Sequence, residues 1–381
     1  MIRRILKFLD EDRTSPVAMP ALAIILTMAA SSLVLLLLGK NPLTAMAAFL
    51  RGSGFLPRPS YGGGQNMVTD LLSFGGILSP MLLAALAVIV ALKTGMFNIG
   101  IAGQMLTAGF LAMVFVGYSS LPPAIARPLV VLIGIVAGGA LGALVGFLKY
   151  RFNIHEVVST IMLNYIASYV TGFFINTYYA DIITRSSKIC SAASRLTITG
   201  VTIGKLRPTI PLGLLIALAA VFVVRFILNR TTLGFELKAV GLNRDAAGYA
   251  GIREGRSLVM GMLFSGVLAG LAGVTYYLGY YNNIVPKTLA GLGYDAIAVA
   301  LLGNLSPVTA IFASVLVTIF QRGSVYMSSL VGVPKEIAQV ITGILLLFSA
   351  CSTYIRYRAH LALEKTAAGA KPPDGEEKPW T

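Results

Sequence analysis

Long apolar runs separated by short polar connectors occupy almost the whole chain. They predict membrane spans at residues 20–38, 71–92, 98–117, 129–148, 157–176, 208–228, 258–279 and 337–354. Residues 293–321 are too long for one span and are broken by Gly303-Asn304-Leu305-Ser306-Pro307, so they read as two short spans. The expectation is an all-α integral membrane protein of about ten transmembrane helices, each near the ~20 residues that cross a hydrocarbon core. An even number of spans leaves both ends on one side. The predicted layout is a basic N-terminal segment (1–19), a transmembrane domain (20–355) and a polar tail (356–381) that reads as disordered. Apolar residues at roughly helical spacing in 1–19 fit either an interfacial helix or a basic flank that orients the first span.

Three connectors are longer than a turn. Residues 39–70 are rich in Gly and Pro and read as an external loop, and 177–207 as a second one. The third, 229–256, has local structure of its own. Residues 234–240 read as a helical turn or two that stops at Gly241. Asn243 is a good N-cap for a short helix over 244–250, and Gly251 sits where a C′ glycine belongs. That helix carries small residues, Ala246, Ala247, Gly248 and Ala250, and a charged tip, Arg244 and Asp245. It can sit in a groove on another protein, or it can be a helix within a solvated loop.

Small residues also mark packing faces. Gly134, Gly138, Gly142 and Gly146 recur at every fourth position of one span, and Gly261, Ser265, Ala269 and Gly273 do so in another. Such stripes let helix backbones approach closely.

Composition agrees with a membrane protein: 56% of the 381 residues are hydrophobic and only 12% charged. The net charge of +15 is spread over the flanks of apolar runs and forms no nucleic-acid stripe. More of the 30 Lys and Arg fall on the side of the N-terminus, which points to both ends being cytoplasmic. The chain has no Walker A pattern and no dinucleotide fingerprint. His155 and His360 are far apart, and Cys190 and Cys351 have no metal spacing, so no metal or cofactor is expected. Cys190 falls in a predicted outer loop and Cys351 at the inner end of the last span. No disulfide is expected between them, and an impermeant thiol reagent should reach only Cys190.

Two segments carry the polar residues of interest. GMFNIGIAGQ (95–104) and GYDAIAVALLGN (293–304) each place an aromatic before a polar residue, Phe97-Asn98 and Tyr294-Asp295. Each closes on glycine plus an amide, Gly103-Gln104 and Gly303-Asn304. One lies in each half of the chain, and the topology relates the halves by inversion, the pattern that marks a translocation pathway in transporters. Asn164 lies within another span. Asp295 has two readings: an end-of-span residue that snorkels or caps a helix over 296–302, or part of a polar path with Asn98, Gln104 and Asn304.

The stretch 91–110, ALKTGMFNIGIAGQMLTAGF, resembles the first-half signature of the permease subunits of bacterial ABC importers for ribose, branched-chain amino acids and nucleosides. YDAIAVALLGNLSP (294–307) resembles that family's second-half signature. The pattern of Gly234, Ala239, Gly241, Asn243, Ala246, Ala247, Gly251 and Ile252 resembles its ATPase-docking loop. GMFNIGIAGQ and FNIHEVVSTIMLNYIA (152–167) are most similar to the nucleoside permeases that work with basic membrane lipoproteins. Sugar relatives tend to carry an acidic residue where Asn98 stands.

The resemblance implies a multi-pass protein of the bacterial cytoplasmic membrane that does no covalent chemistry. It implies a cytoplasmic ABC ATPase with two nucleotide-binding domains docked on 229–256 through Gly241, Asn243, Arg244, Asp245, Ala246, Ala247 and Gly251. A second homologous permease and an extracytoplasmic binding lipoprotein would complete the importer. Nucleosides would cross a pathway formed by Phe97, Asn98, Gln104, Asn164, Tyr294, Asp295 and Asn304. A sugar or branched-chain amino acid permease remains an alternative. So does a proton-coupled secondary transporter, which would need a titratable relay. An integral-membrane enzyme would need a polar constellation at one face, and the sequence offers none.

Overall fold

The computed structural model describes residues 15–62, 64–200, 202, 206, 208–351, 354, 357, 358 and 361. Most of the basic N-terminal segment, nearly all of the polar tail and His360 lie outside the described residues.

The chain is built almost wholly of helices: α1 Ser15–Leu37, α2 Pro42–Gly52, α3 Met67–Lys93, α4 Ile101–Ala112, α5 Pro123–Phe152, α6 Glu156–Phe174, α7 Leu212–Arg230, α8 Thr232–Leu242, α9 Arg244–Tyr249, α10 Glu254–Thr275, α11 Leu292–Leu302, α12 Thr309–Val331 and α13 Lys335–Ala350. Among the described residues, six are long and apolar enough to cross a membrane, with shorter apolar helices beside them. α4, α6 and α10 each widen into a π-helical turn at one end, Met113–Gly117, Ile175–Tyr179 and Tyr276–Tyr281. A two-stranded antiparallel hairpin, β1 Thr197–Ile198 with β2 Ile210–Pro211, belongs to a cap over these ends. The cap is sewn down by backbone bonds from Leu196 to Leu278, Cys190 to Asn282 and Ser187 to Ile284.

α3 is the central helix. In its most apolar window 89% of the residues are buried, against 28% in α7, which therefore lies at the periphery. A helix apolar on every side belongs inside a bundle or in lipid, and α3 is inside: Met81 through Ala87 are fully enclosed. Pro80 lies within it and cannot donate to the Gly76 carbonyl. The Ser79 hydroxyl donates to that carbonyl instead, at 3.0 Å, so the helix continues without a lost bond.

α10 packs on α5 and α3 with different faces. The glycine stripe of α5 meets Gly266 and Gly270: a Cβ on Gly138 would stand 2.3 Å from the Gly266 carbonyl oxygen, and one on Gly142 2.2 Å from that of Met262. The face of Gly261, Ser265 and Gly273 turns instead to α3 and α4, against Thr94, Ala87 and Met105. Both stripes are packing faces, as expected, but they do not pack on each other.

Two sequence expectations are corrected. Residues 39–70 are not all loop: Asn41 caps α2 by accepting from the Leu43 N–H, and Pro42 stands at its first position, where its missing N–H costs nothing. α2 packs on α12, with Phe49 against Phe320 at 5.0 Å between ring centroids. The second part of 293–321 is no short span, because α12 continues to Val331. The break between α11 and α12 is a tight turn in which Asn304 and Leu305 both have positive φ, 50° and 52°.

Candidate functional site

Polar side chains inside the bundle collect in three places. The first surrounds the start of α4. Asn98 is 1% exposed and Gln104 2%. Asn98 Nδ2 donates to Gln104 Oε1 (3.0 Å) and Ser265 Oγ (2.8 Å), and its Oδ1 accepts from the Gly100 N–H (2.9 Å). Ser265 in turn donates to the Ala87 carbonyl. This closed network ties α3, α4 and α10 together. Phe97 beside it is half-buried.

Asn164 on α6 makes the second tie. Its Oδ1 accepts from the Gly103 N–H at 2.8 Å, and its Nδ2 donates to the Ile99 carbonyl at 3.0 Å and the Tyr294 hydroxyl at 3.3 Å. Gly293 lies against Ala102, where a Cβ would come within 2.8 Å of its backbone nitrogen. The two signature segments are therefore neighbours. They are not counterparts position by position, because Gln104 stands in the first turn of α4 and Asn304 beyond the end of α11. Asp295 sits inside the first turn of α11, whose N-cap is Gly291, so it does not cap a helix over 296–302. Its Oδ2 accepts from Gln321 Nε2 on α12. Asn304 is exposed at the far end of α11.

Gln321 leads to the third place, which the sequence reading missed. A cavity of about 590 Å³ opens between α2, α10, α11 and α12. Its walls carry Tyr280, Tyr281, Tyr326, Arg58, Arg322 and Gln321. Arg58 Nη2 pairs with Asp70 Oδ1 at 2.8 Å, and its guanidinium lies 4.8 Å from the centre of the Tyr326 ring. Arg322 Nε donates to the Gly52 carbonyl at 3.0 Å. Arg58 Nε, Arg322 Nη1 and Asp70 Oδ2 are buried without a hydrogen-bond partner. The sequence signal was available: a run of tyrosines at the end of an apolar span, next to arginines inside and beside others.

At the opposite end of α10 lies the α8–α9 hairpin. Asn243 Oδ1 accepts from the Ala246 N–H at 3.0 Å, as expected of an N-cap. Gly251 has φ 79°, and the Gly251 and Ile252 N–H groups bond the Gly248 and Ala247 carbonyls, a Schellman closure. Gly241 does not end α8, which runs on to Leu242. It lies against the end of α3, where a Cβ would stand 2.2 Å from the Lys93 carbonyl oxygen. Ala247 is buried against the bundle, whereas Asp245 and Ala246 are exposed. Arg244 turns back, its Nε 3.7 Å from Glu254 and its Nη2 3.9 Å from Met96 Sδ. The most exposed large apolar groups here are Leu242 and Tyr249, 89% and 95% exposed, which the small-residue pattern does not include.

Cys190 is corrected too. It lies in the cap, but is only 1% exposed, and its carbonyl accepts from Arg195 Nη2 at 3.2 Å. Burial pushes its thiol up from the ordinary range, so an outside reagent meets neither an exposed sulfur nor an appreciable thiolate. Both cysteines are free.

Residues 71–350 match the family profile described as branched-chain amino acid transport system / permease component. The chain belongs to this permease family. The nucleoside ABC transporter permease protein NupB of Lactococcus lactis subsp. cremoris is 34% identical to it over 96% of this chain and 99% of that protein. The guanosine ABC transporter permease protein NupP of Bacillus subtilis is 37% identical over 91% and 96%. The glucose ABC transporter permease protein TsgB13 of Haloferax volcanii is more distant, 30% identical over 75% and 77%. No solved structure matches significantly. The permease is thus a transport component rather than an enzyme, a multi-pass protein of the cytoplasmic membrane. Membership implies, in general, an ATPase and a substrate-binding protein as partners.

Proposed function

We propose that this permease passes nucleosides into the cell as the membrane subunit of an ABC importer. The observation that carries the proposal is identity and coverage together: NupB and NupP, 34% and 37% identical, align with more than nine-tenths of this chain and of their own length, and the glucose permease TsgB13, 30% identical, with about three-quarters. The assignment to nucleosides rather than a sugar also agrees with the neutral Asn98. Secondary proton coupling is less well supported, since the carboxylate of Asp295 meets an amide and, among the described residues, makes no ion pair with a second titratable group.

In this reading both termini and the α8–α9 hairpin are cytoplasmic, and the cap faces outward. About ten spans form two inverted halves. The packing speaks for that: the long central helix of each half, α3 or α10, packs against the short helix of the other half, α11 or α4. An ATPase with two nucleotide-binding domains docks on 229–256. Gly241 and Ala247 seat the hairpin on the bundle, Asn243 and Gly251 fix the ends of α9, Arg244 braces it through Glu254, and Asp245 and Ala246 join Leu242 and Tyr249 on the contact face. A second homologous permease lies alongside, and a binding lipoprotein delivers solute to the outer segments. Phe97, Asn98, Gln104, Asn164, Tyr294, Asp295 and Asn304 belong to the moving wall of the pathway. The amides hold its helices together rather than lining open space, which is what their closed hydrogen bonding supports.

The test is uptake of labelled nucleosides, glucose and leucine by proteoliposomes holding both permeases, the ATPase and the binding protein. Nucleoside uptake that needs ATP is expected. Uptake of glucose or leucine alone would refute the proposal.

A further inference from the structure

The cavity beside α12 has a chemistry of its own, and from it we infer that the permease holds its nucleoside there by an oxo-bearing base edge. The inference rests on the nucleoside reading above. A volume of about 590 Å³ is within the usual range for a small-molecule site. Tyr280, Tyr281 and Tyr326 give flat aromatic walls, and the Arg58 guanidinium already lies against one of them. Planar faces of this kind stack with a base whatever its identity.

Selection then falls to the polar groups, and they are unequal. Of the two guanidiniums, which can only donate, Arg58 pairs with the Asp70 carboxylate, and Arg322 makes no ion pair with it and feels its charge at longer range. Counted with Asp70, the two arginines leave one excess positive charge beside the cavity. Gln321 adds one acceptor. One N–H of its amide goes to Asp295, and its Oε1 accepts no hydrogen bond among the described residues, so that oxygen is available to a solute. A lactam edge, a ring carbonyl next to a ring N–H, meets this wall with matching partners: the carbonyl toward arginine and the N–H toward Gln321. In a 6-oxopurine the neighbouring N7 is a further acceptor for a guanidinium, the pairing by which arginine reads guanine. Adenine places an amino group, a donor, where the carbonyl would be. Two donors then face each other. The cavity favours inosine and guanosine over adenosine.

Inosine and adenosine differ only on this edge, so initial uptake rates of the two in proteoliposomes test the inference. The same binding protein is used throughout, so its own preference cancels between variants. Arg322→Lys keeps the charge but loses the planar fork. It should lower the inosine-to-adenosine ratio by about fivefold or more, the lower end of what one mismatched base edge costs. Val325 lines the cavity and is 64% exposed. Val325→Trp, which can be made without disturbing the core, should block uptake of both nucleosides while the ATPase still co-purifies. An unchanged ratio in Arg322→Lys, or wild-type uptake of both nucleosides by Val325→Trp, overturns the inference and leaves nucleoside transport standing. If Arg322→Lys does not assemble, the Val325→Trp result decides. Failure of the wild-type vesicles to take up any nucleoside would instead be a failure of the proposed function.

Discussion

Replacing Asn98 by alanine should cost stability before it costs selectivity. The side chain gives one hydrogen bond to Gln104, one to Ser265 and accepts one from Gly100, all with almost no exposure. Ser265 keeps its bond to the Ala87 carbonyl in the mutant, so it is not stranded. The Gly100 N–H and the Gln104 amide are, because Asn98 is the partner of both. A buried polar group left unpaired costs about 1–3 kcal/mol, so two of them cost about 2–6 kcal/mol before the space vacated by the amide is counted. At about 2–4 °C per kcal/mol for chains of 150–250 residues, and somewhat less for a longer one, the melting temperature in detergent should fall by several degrees. Removing Gln104 as well takes away one stranded group, so Asn98→Ala/Gln104→Ala should be less destabilised than the sum of the single mutants, with a coupling of about 0.5–3 kcal/mol. The assay is thermal unfolding of the purified complex for both single mutants and the double mutant, with uptake measured on the same preparations. Wild-type melting for Asn98→Ala, with uptake lost, would refute the structural tie and make Asn98 a residue that meets solute.

Other consequences can be checked in the same system. Gly138→Ala places a methyl group 2.3 Å from a backbone oxygen and 2.6 Å from a backbone carbon of α10; overpacking of this kind costs about 1–3 kcal/mol or more, and unfolding temperature and yield should both drop. Asn243→Ala removes an N-cap worth about 0.5–2 kcal/mol, so expression should hold while ATPase co-purification weakens. Leu242→Glu and Tyr249→Glu, both on exposed positions, should abolish that co-purification with the melting temperature unchanged, and retention of the ATPase by both would move the docking surface elsewhere. Cys190 should resist an impermeant maleimide in intact cells and react once the cap is opened by denaturant; rapid labelling of the native protein would contradict its burial.

How much of this was legible in the sequence differs by feature, for identifiable reasons. Apolar runs locate helices because a membrane demands them, and every predicted span corresponds to a helix. The ends of α9 were legible because Asn243 and Gly251 act on groups a few residues away. α2 was not, since Gly and Pro around it read as loop until Pro42 is recognised as a helix-starting residue. The glycine stripes announced close packing but not their partners, which depend on how α10 is rotated between α5 and α3. The amides of Asn98 and Asn164 could be picked out, whereas the closure of their networks could not, because Ser265 and Tyr294 come from distant helices. The cavity was missed for the same reason. Arg58, Asp70 and Arg322 meet only after α2, α3 and α12 have packed.

The polar groups inside this permease fall into two physical kinds, and the division bears on how it would work. Both N–H groups of the Asn98 and Asn164 amides are used within the protein, and Gln104 is tied to Asn98, so a solute competes with bonds already made. The Arg58–Asp70–Arg322 cluster is under-satisfied and borders open space. Where hydrocarbon surrounds a protein, an unpaired group is costly, so the internally bonded set suits pins between rigid helices and the under-satisfied set suits a surface that exchanges partners. The two are mechanically connected. Gly241 of the hairpin abuts the end of α3 at Lys93, a few residues before the Asn98 network. That network clamps α3 and α4 to α10, whose far end carries Tyr280 and Tyr281 into the cavity. If the hairpin is where the ATPase pulls, a displacement there reaches the cavity through packed backbone and closed hydrogen bonds.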